Sequence, residues 1–383
     1  MTHPSNPKTK PERRSASKRS DAATSAVSAA GRLSRRGFIA ASGAALATPY
    51  IFSRPANAAN GQVIVRSPGG AYDTIRQEVV YGPFEELTGI RVIPVASTAA
   101  KMMAMFRAGQ VELDVLDTGD NPLLQLDRMG ALLDIPYGDF KFTNPDDIFP
   151  QYLKDYMIGN FAYAQVLGYS KDVFPDGSEP KSWVDFWNAD SFEGTRMLAD
   201  IASGTVNLEF ALIADGVPMD QLYPLDVDRG FASMTRIRDA ITKFWNTGAL
   251  SAQLLSDREI DMGSIWHTRI SNAIKNGANL DIQWNEHMGQ LQAYGIFKDA
   301  QNIEAAIQYV DFCTSPEVQS EFCARWNAGP VNRRAFDTFP EDLLSRVPGS
   351  PLLEGKGFQL DVEWWADNQQ KVSDIWSKWI LEG

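Results

Sequence analysis

With 383 residues, 44% of them hydrophobic and 22% charged, the chain excludes a disordered or collagen-like polymer and has room for two lobes around a sizeable buried core. Charge is unevenly placed: residues 1–58 hold ten Lys/Arg and two Asp/Glu, a net of +8, whereas residues 59–383 hold 26 and 46, a net of −20. A body that acidic lacks the basic footprint that nucleic acid requires.

Residues 1–33 are rich in Ser, Ala, Lys and Arg, contain no Phe, Trp, Tyr, Ile or Cys and show no amphipathic period, so they lack the apolar surface to fold. Ser34-Arg35-Arg36-Gly37-Phe38-Ile39 follows, then a mainly apolar run to Phe52 interrupted by Ser42, Gly43, Thr48 and Pro49. At about 15 residues this run is too short to cross a bilayer, which takes ~20 helical residues, and it fits a signal-peptide core. Ala56-Asn57-Ala58 has small residues at both recognition positions of a signal peptidase, which puts cleavage after Ala58. The segment from Ser34 to Ile39 resembles the twin-arginine export signal at every position. That resemblance implies export of the folded protein to the periplasm or outer cell face.

In the mature part, Gly61 to Arg66 reads as a first strand, broken by Ser67-Pro68-Gly69-Gly70. Helical spacing through Tyr72, Ile75, Val79, Val80, Phe84 and Leu87 follows and closes at Thr88-Gly89. Ile90 to Val95 is a second strand, Lys101 to Ala108 a helix, and Leu113 to Asp117 a third strand ending in Thr118-Gly119-Asp120-Asn121. Tyr163 to Tyr169, Thr195 to Asp200 and Asp261 to Ile265 read as further strands, with helices at Trp183 to Trp187, Val206 to Ala214 and Asp228 to Thr247. Alternation of this kind predicts an α/β fold, a mostly parallel sheet covered on both faces. Ligands then bind in the crevice beyond the carboxyl ends of the strands. The loops there are Ser67 to Tyr72, Thr118 to Asn121, Ile201-Ala202-Ser203-Gly204-Thr205 and Trp266-His267-Thr268-Arg269. Gly and Ser let backbone approach a ligand, and Trp and Tyr supply flat apolar walls.

Cys313 and Cys323 flank the corner between a helix ending near Phe312 and one starting at Ser315-Pro316-Glu317, either as a disulfide or as two small buried residues. The mature His267 and His287 stand in no metal-ligand spacing, and there is no nucleophile elbow, phosphate loop or dinucleotide fingerprint. No cofactor or metal is therefore expected.

Taken in order, the Gly-Gly-Ala-Tyr loop, Pro83-Phe84-Glu85-Glu86-Leu87-Thr88-Gly89-Ile90-Arg91-Val92 and Leu113-Asp114-Val115 resemble the extracellular solute-binding proteins of ABC importers, in the branch containing the spermidine/putrescine receptors. Trp183 to Glu193, Met262 to Trp266 and Val310 to Phe322 continue the likeness, which spans nearly all of residues 60–383. The resemblance implies a monomer of two α/β lobes, 59–163 plus 295–383 and 164–294, joined by crossing strands Tyr163–Tyr169 and Leu291–Phe297. They close over a small solute and deliver it to an ABC permease in the inner membrane. It also implies a binding set of Gly69, Gly70, Tyr72, Asp120, Asn121, Asp200, Ser203, Thr205, Trp266, His267, Gln292 and Tyr294. Trp266 matches an aromatic wall of the polyamine receptors. Their carboxylate and Trp on the second crossing strand are replaced here by Tyr294 and Gln292, and Asp200 is followed by Ile-Ala-Ser-Gly-Thr without the expected Glu. Fewer acids point to a smaller cationic or zwitterionic nitrogen compound, with polyamine left open. The competing reading is a secreted hydrolase using Asp117, Asp120 and Asp200 as cleft acids.

Overall fold

The computed structural model describes residues 61–382, and the export-signal and cleavage-site readings lie outside them. The described strands form one continuous sheet. They are β1 Gln62–Ser67, β2 Arg91–Ala96, β3 Val115–Gly119, β4 Leu153–Lys154, β5 Met157–Ser170, β6 Arg196–Ala199, β7 Ile241–Trp245, β8 Met262–Trp266, β9 Leu280–Ile296, β10 Gly329–Pro330 and β11 Gly357–Gln359. The main path runs β2-β1-β3-β9-β5-β8-β6-β7.

At its two ends the path is parallel, β1 with β2 and β3, and β6 with β7 and β8. Through the middle it is antiparallel, β3 with β9, β9 with β5, and β5 with β8. The parallel pairing expected of each lobe is found at the two ends, and the antiparallel pairs are those made by the crossing strands. The chain leaves the first lobe along β5 and returns along β9, and two adjacent strands running opposite ways pair antiparallel.

Two cores lie on either side of that central pair. One gathers Val65, Val115, Leu116, Ala293, Ile296 and Phe322. The other side holds Trp183, Leu198, Phe210 and Phe231, with a third cluster around Val166, Trp245, Ile265 and Ile270. This is the two-lobed α/β architecture. The C-terminal helix Val362–Trp379 lies against the first-lobe helix Asp120–Arg128, where Arg128 pairs with Asp367 at 2.6 Å, and also packs Trp365, Val372 and Trp376 into the second lobe's core. Those residues recur at seven and four positions along the helix, which makes one apolar stripe.

Most predicted elements stand within a residue or two, and Gly89 closes its helix in the left-handed region at φ 72°. The expected helix over 228–247 is shorter: Val227–Ile237 ends once Phe231, Met234 and Ile237 are buried. Ile241–Trp245, rich in β-branched and aromatic residues, joins β6 as a parallel edge strand. Cys313 and Cys323 are both free and buried, which is the apolar alternative of the two readings. No helix among the described residues is long and apolar enough to cross a membrane.

Candidate functional site

Where β1, β3 and β8 end against the crossing strands, a cleft of about 300 Å³ opens between the lobes. Its lining is Arg66, Pro68, Tyr72, Thr118, Gly119, Phe161, Tyr163, Trp266, Thr268, Arg269, Gln292 and Trp326. Larger hollows exist, including one of about 620 Å³ by Gly138–Lys141, but that one draws on the first lobe alone.

The floor on the first lobe is a closed polar network. Asp117, at the end of β3, is buried and accepts from the Tyr72 hydroxyl, from Asn160 Nδ2 at 3.1 Å and from Gln292 Nε2 at 2.8 Å. Asn160 Nδ2 also donates to the Tyr72 hydroxyl at 3.0 Å. Arg66, half-buried at the end of β1, donates from Nε to the Ser97 carbonyl at 3.0 Å and from Nη1 to the Asp117 carbonyl, so its guanidinium is held across three strand ends. Gly69 and Gly70, at φ 81° and 65°, turn the chain from β1 into the helix Ala71–Arg76 that carries Tyr72, and neither lines the cleft itself. With its hydroxyl committed to Asp117, Tyr72 offers the cleft a ring rather than a donor.

The second lobe contributes Trp266, Thr268 and Arg269. Trp266 ends β8, with its ring edge-on to Tyr163 at 6.4 Å and to Trp245 at 5.4 Å. A side chain at position 248 would put Cβ 2.6 Å from that ring, so Gly248 makes the room for it. The buried Trp266 Nε1 has no hydrogen-bond partner. Arg269 is exposed, and among the described residues no hydrogen bond holds its guanidinium.

Three of the expected site residues, Tyr72, Trp266 and Gln292, therefore meet in one cleft. The others stand elsewhere. Asp120 faces a neighbouring hollow lined also by Tyr152, Tyr156, Asp361 and Glu363, where burial pushes its carboxyl up to about 7. Asn121 accepts from Gln125 on its own helix. Asp200 caps the turn Ile201–Ser203 by accepting from the Ala202 N–H, and Ser203 and Thr205 belong to that same loop, outside the cleft lining. Tyr294 shares a strand face with Gln292 but lies fully buried, its hydroxyl accepting from Arg76, so it does not face the cleft. His267 is fully buried with both ring nitrogens bonded to backbone, at 3.0 Å to Ala164 N and 2.7 Å to Asn327 O. Burial holds its pKa down to about 4, so it stays neutral and gives no group to a solute. The three acids of the hydrolase reading face three different surroundings.

Arg66, Phe161 and Trp326 carry no site signal in the sequence, and Arg269 lies in one of the crevice loops. The assembled lining presents two guanidiniums and five aromatic rings and contains no carboxylate. Such a set binds a carboxylate through charge-assisted hydrogen bonds and packs an ammonium or a methylene chain against ring faces.

A family model described as "Bacterial extracellular solute-binding protein" matches residues 80–343. A gamma-aminobutyric acid-binding protein of Pseudomonas aeruginosa is 28% identical over 336 residues, 86% of this chain and 93% of that protein. Among solved structures, an ABC transporter substrate-binding protein from Bradyrhizobium japonicum is 31% identical with a TM-score of 0.78, covering 84% of this chain and 99% of that one. A GABA receptor is 26% identical with a TM-score of 0.75, covering 83% and 97%. The two-lobed fold and these matches agree: the chain belongs to the bacterial extracellular solute-binding proteins, as the substrate-binding component of an ABC importer and not an enzyme.

Proposed function

We propose that the protein captures a small zwitterionic amino compound resembling GABA. The carrying observation is the lining of the cleft, with Arg66 and Arg269 beside Tyr72, Phe161, Tyr163, Trp266 and Trp326 and no carboxylate among them. A ligand carboxylate neutralises a guanidinium, while the ammonium end sits on ring faces, Trp266 foremost. A polyamine would bring further cations beside two arginines with no acid to offset them, which favours the zwitterion over the polyamine reading suggested by the resemblance to the spermidine/putrescine branch. The GABA-binding relative and the solved GABA receptor support the same choice. Lobe 1, residues 59–163 with the return from 295, and lobe 2, residues 164–294, would close over the solute, with ligand contacts to both stabilising the closed form. Calorimetric titration with GABA and with putrescine tests this reading. Saturable binding of GABA alone is expected, and binding of putrescine alone overturns it.

The same reading has the protein working as a monomer in the periplasm, handing solute to its permease and exported by the twin-arginine route. Ser34-Arg35-Arg36-Gly37-Phe38-Ile39 supports that route. The Arg35→Lys, Arg36→Lys double variant is expected to leave the precursor in the cytoplasm, and an unchanged periplasmic yield refutes it.

A further inference from the structure

Two of the tryptophans that wall the cleft are each followed in sequence by a residue that bonds to the other's neighbour. Trp266 ends β8 in the second lobe, and His267 opens the next helix. Trp326 ends the helix Pro316–Trp326, whose Phe322 and Cys323 lie in the first lobe's core, and Asn327 closes it in the left-handed region at φ 53°. The His267 ring spans the gap. Its Nδ1 accepts from the Ala164 N–H on β5 at 3.0 Å, just beyond Gln165↔Trp266, where the β5–β8 ladder ends. Acceptance at Nδ1 puts the ring proton on Nε2, which donates to the Asn327 carbonyl at 2.7 Å. Trp284 of β9 packs against the ring at 5.5 Å between centroids.

We infer that His267 is a positioning residue of the solute site, a bolt between the lobes that fixes the spacing of the Trp266 and Trp326 walls at the pivot end of the cleft. The bolt needs no ligand, because both of its partners are backbone groups. It also makes the aperture a fixed length rather than an adjustable one, so the site discriminates among solutes by chain length. This second consequence rests on the zwitterion reading, whereas the bolt itself does not.

Two measurements keep these apart. His267→Met removes both bonds at similar volume, and His267→Gln restores one donor and one acceptor. Spin labels at Ala324→Cys and Lys275→Cys, both exposed and on opposite lobes, report the interlobe distance in the ligand-free protein by pulsed electron resonance, the native cysteines being buried. The bolt predicts a narrow distribution with His267, a broadened one with Met, and a narrow one again with Gln. An unchanged distribution in His267→Met overturns the proposal, whatever the ligand. Should His267→Met fail to fold, His267→Asn, too short to span both partners, takes its place. Calorimetry with β-alanine, GABA and 5-aminovalerate then reads the aperture. One methylene in a close-fitting pocket is worth roughly tenfold or more, and that preference should collapse to within about threefold in His267→Met and return with Gln. A preference kept intact in His267→Met removes the aperture role. Failure of the unsubstituted protein to bind any of the three overturns the zwitterion reading and leaves the distance measurement to decide the bolt.

Discussion

On the first lobe's side of the cleft, Tyr72 and Gln292 are already tied to Asp117, and Arg66 is held by two carbonyls, before any solute arrives. On the second lobe's side, Trp266 has a buried N–H without a partner, and Arg269 is an exposed member of the lining. The contrast teaches which half is built as a template and which is left with unsatisfied capacity for the closed state. A group already fixed costs little further ordering when the solute binds, whereas a long exposed side chain loses about 0.5–1.5 kcal/mol of rotamer freedom when it is immobilised.

The largest effect that would break this contrast is expected at Asp117. Asp117→Ala takes the acceptor from the buried Tyr72 hydroxyl and Asn160 amide and from the half-buried Gln292, and should lower unfolding stability by about 2–5 kcal/mol, at about 1–3 kcal/mol per stranded buried donor. A loss under about 1 kcal/mol in urea unfolding would mean that the first-lobe network is not a preassembled floor. Next in size is the pH dependence of the bolt between the lobes. His267 is held down to about 4 by burial, against an unfolded value near 6.5, so between those limits the unfolded chain binds the proton and the folded one does not. Stability is therefore full above about pH 6.5 and falls as pH drops toward 4, by about 3 kcal/mol for this one group. His287 is shifted down in the same direction by its own burial, so the comparison is between the unsubstituted protein and His267→Gln, in which the His267 share of the slope should vanish.

Smaller effects sharpen the other side of the contrast. Arg269→Ala should weaken GABA binding by about 1.5–3 kcal/mol, the range for a hydrogen bond to a charged group, while leaving stability within ~0.5 kcal/mol. Affinity and melting temperature falling together would show that Arg269 is structural. Trp266→Phe keeps an aromatic wall but weakens its cation–π face, for an expected loss near 1 kcal/mol in the same titration. No change in affinity would move the ammonium end of the solute away from this ring.

Which of these residues could be read in advance follows from how local their signals are. Tyr72 and Trp266 stand at strand ends, where alternation of strand and helix already locates the crevice. Gln292 follows from the position of the return crossing, whereas Tyr294, two residues on, does not face the cleft, for a geometric reason. The two share a strand face by the two-residue period, but Tyr294 is about 7 Å further along, under the buried Arg76. His267 sits in a loop of the right composition, yet nothing local reveals that both ring nitrogens are taken by backbone of β5 and of a helix cap 60 residues away. Trp326 has no local signal either, because its role arises from where the end of a first-lobe helix meets the cleft. Arg66 lies inside a strand, where a charged residue reads as an exposed face, and only the flanking ends of β2 and β3 turn it into a held cation.

The C-terminal helix bears on the closure proposed above. The chain passes from first-lobe core to second-lobe core along β5 and returns along β9, and it passes once more between Val347, in the first core, and Leu353, in the third cluster. Two connections placed side by side permit bending and also torsion about the line between them. A third, anchored through Trp365 and Trp376 and by the pairing of β11 with β9, would oppose the torsion. Under that closure, what would remain is bending about the end of the cleft that His267 bolts, with the Trp266–Trp326 spacing unchanged, so that a bound solute meets the same walls in the same orientation on every cycle.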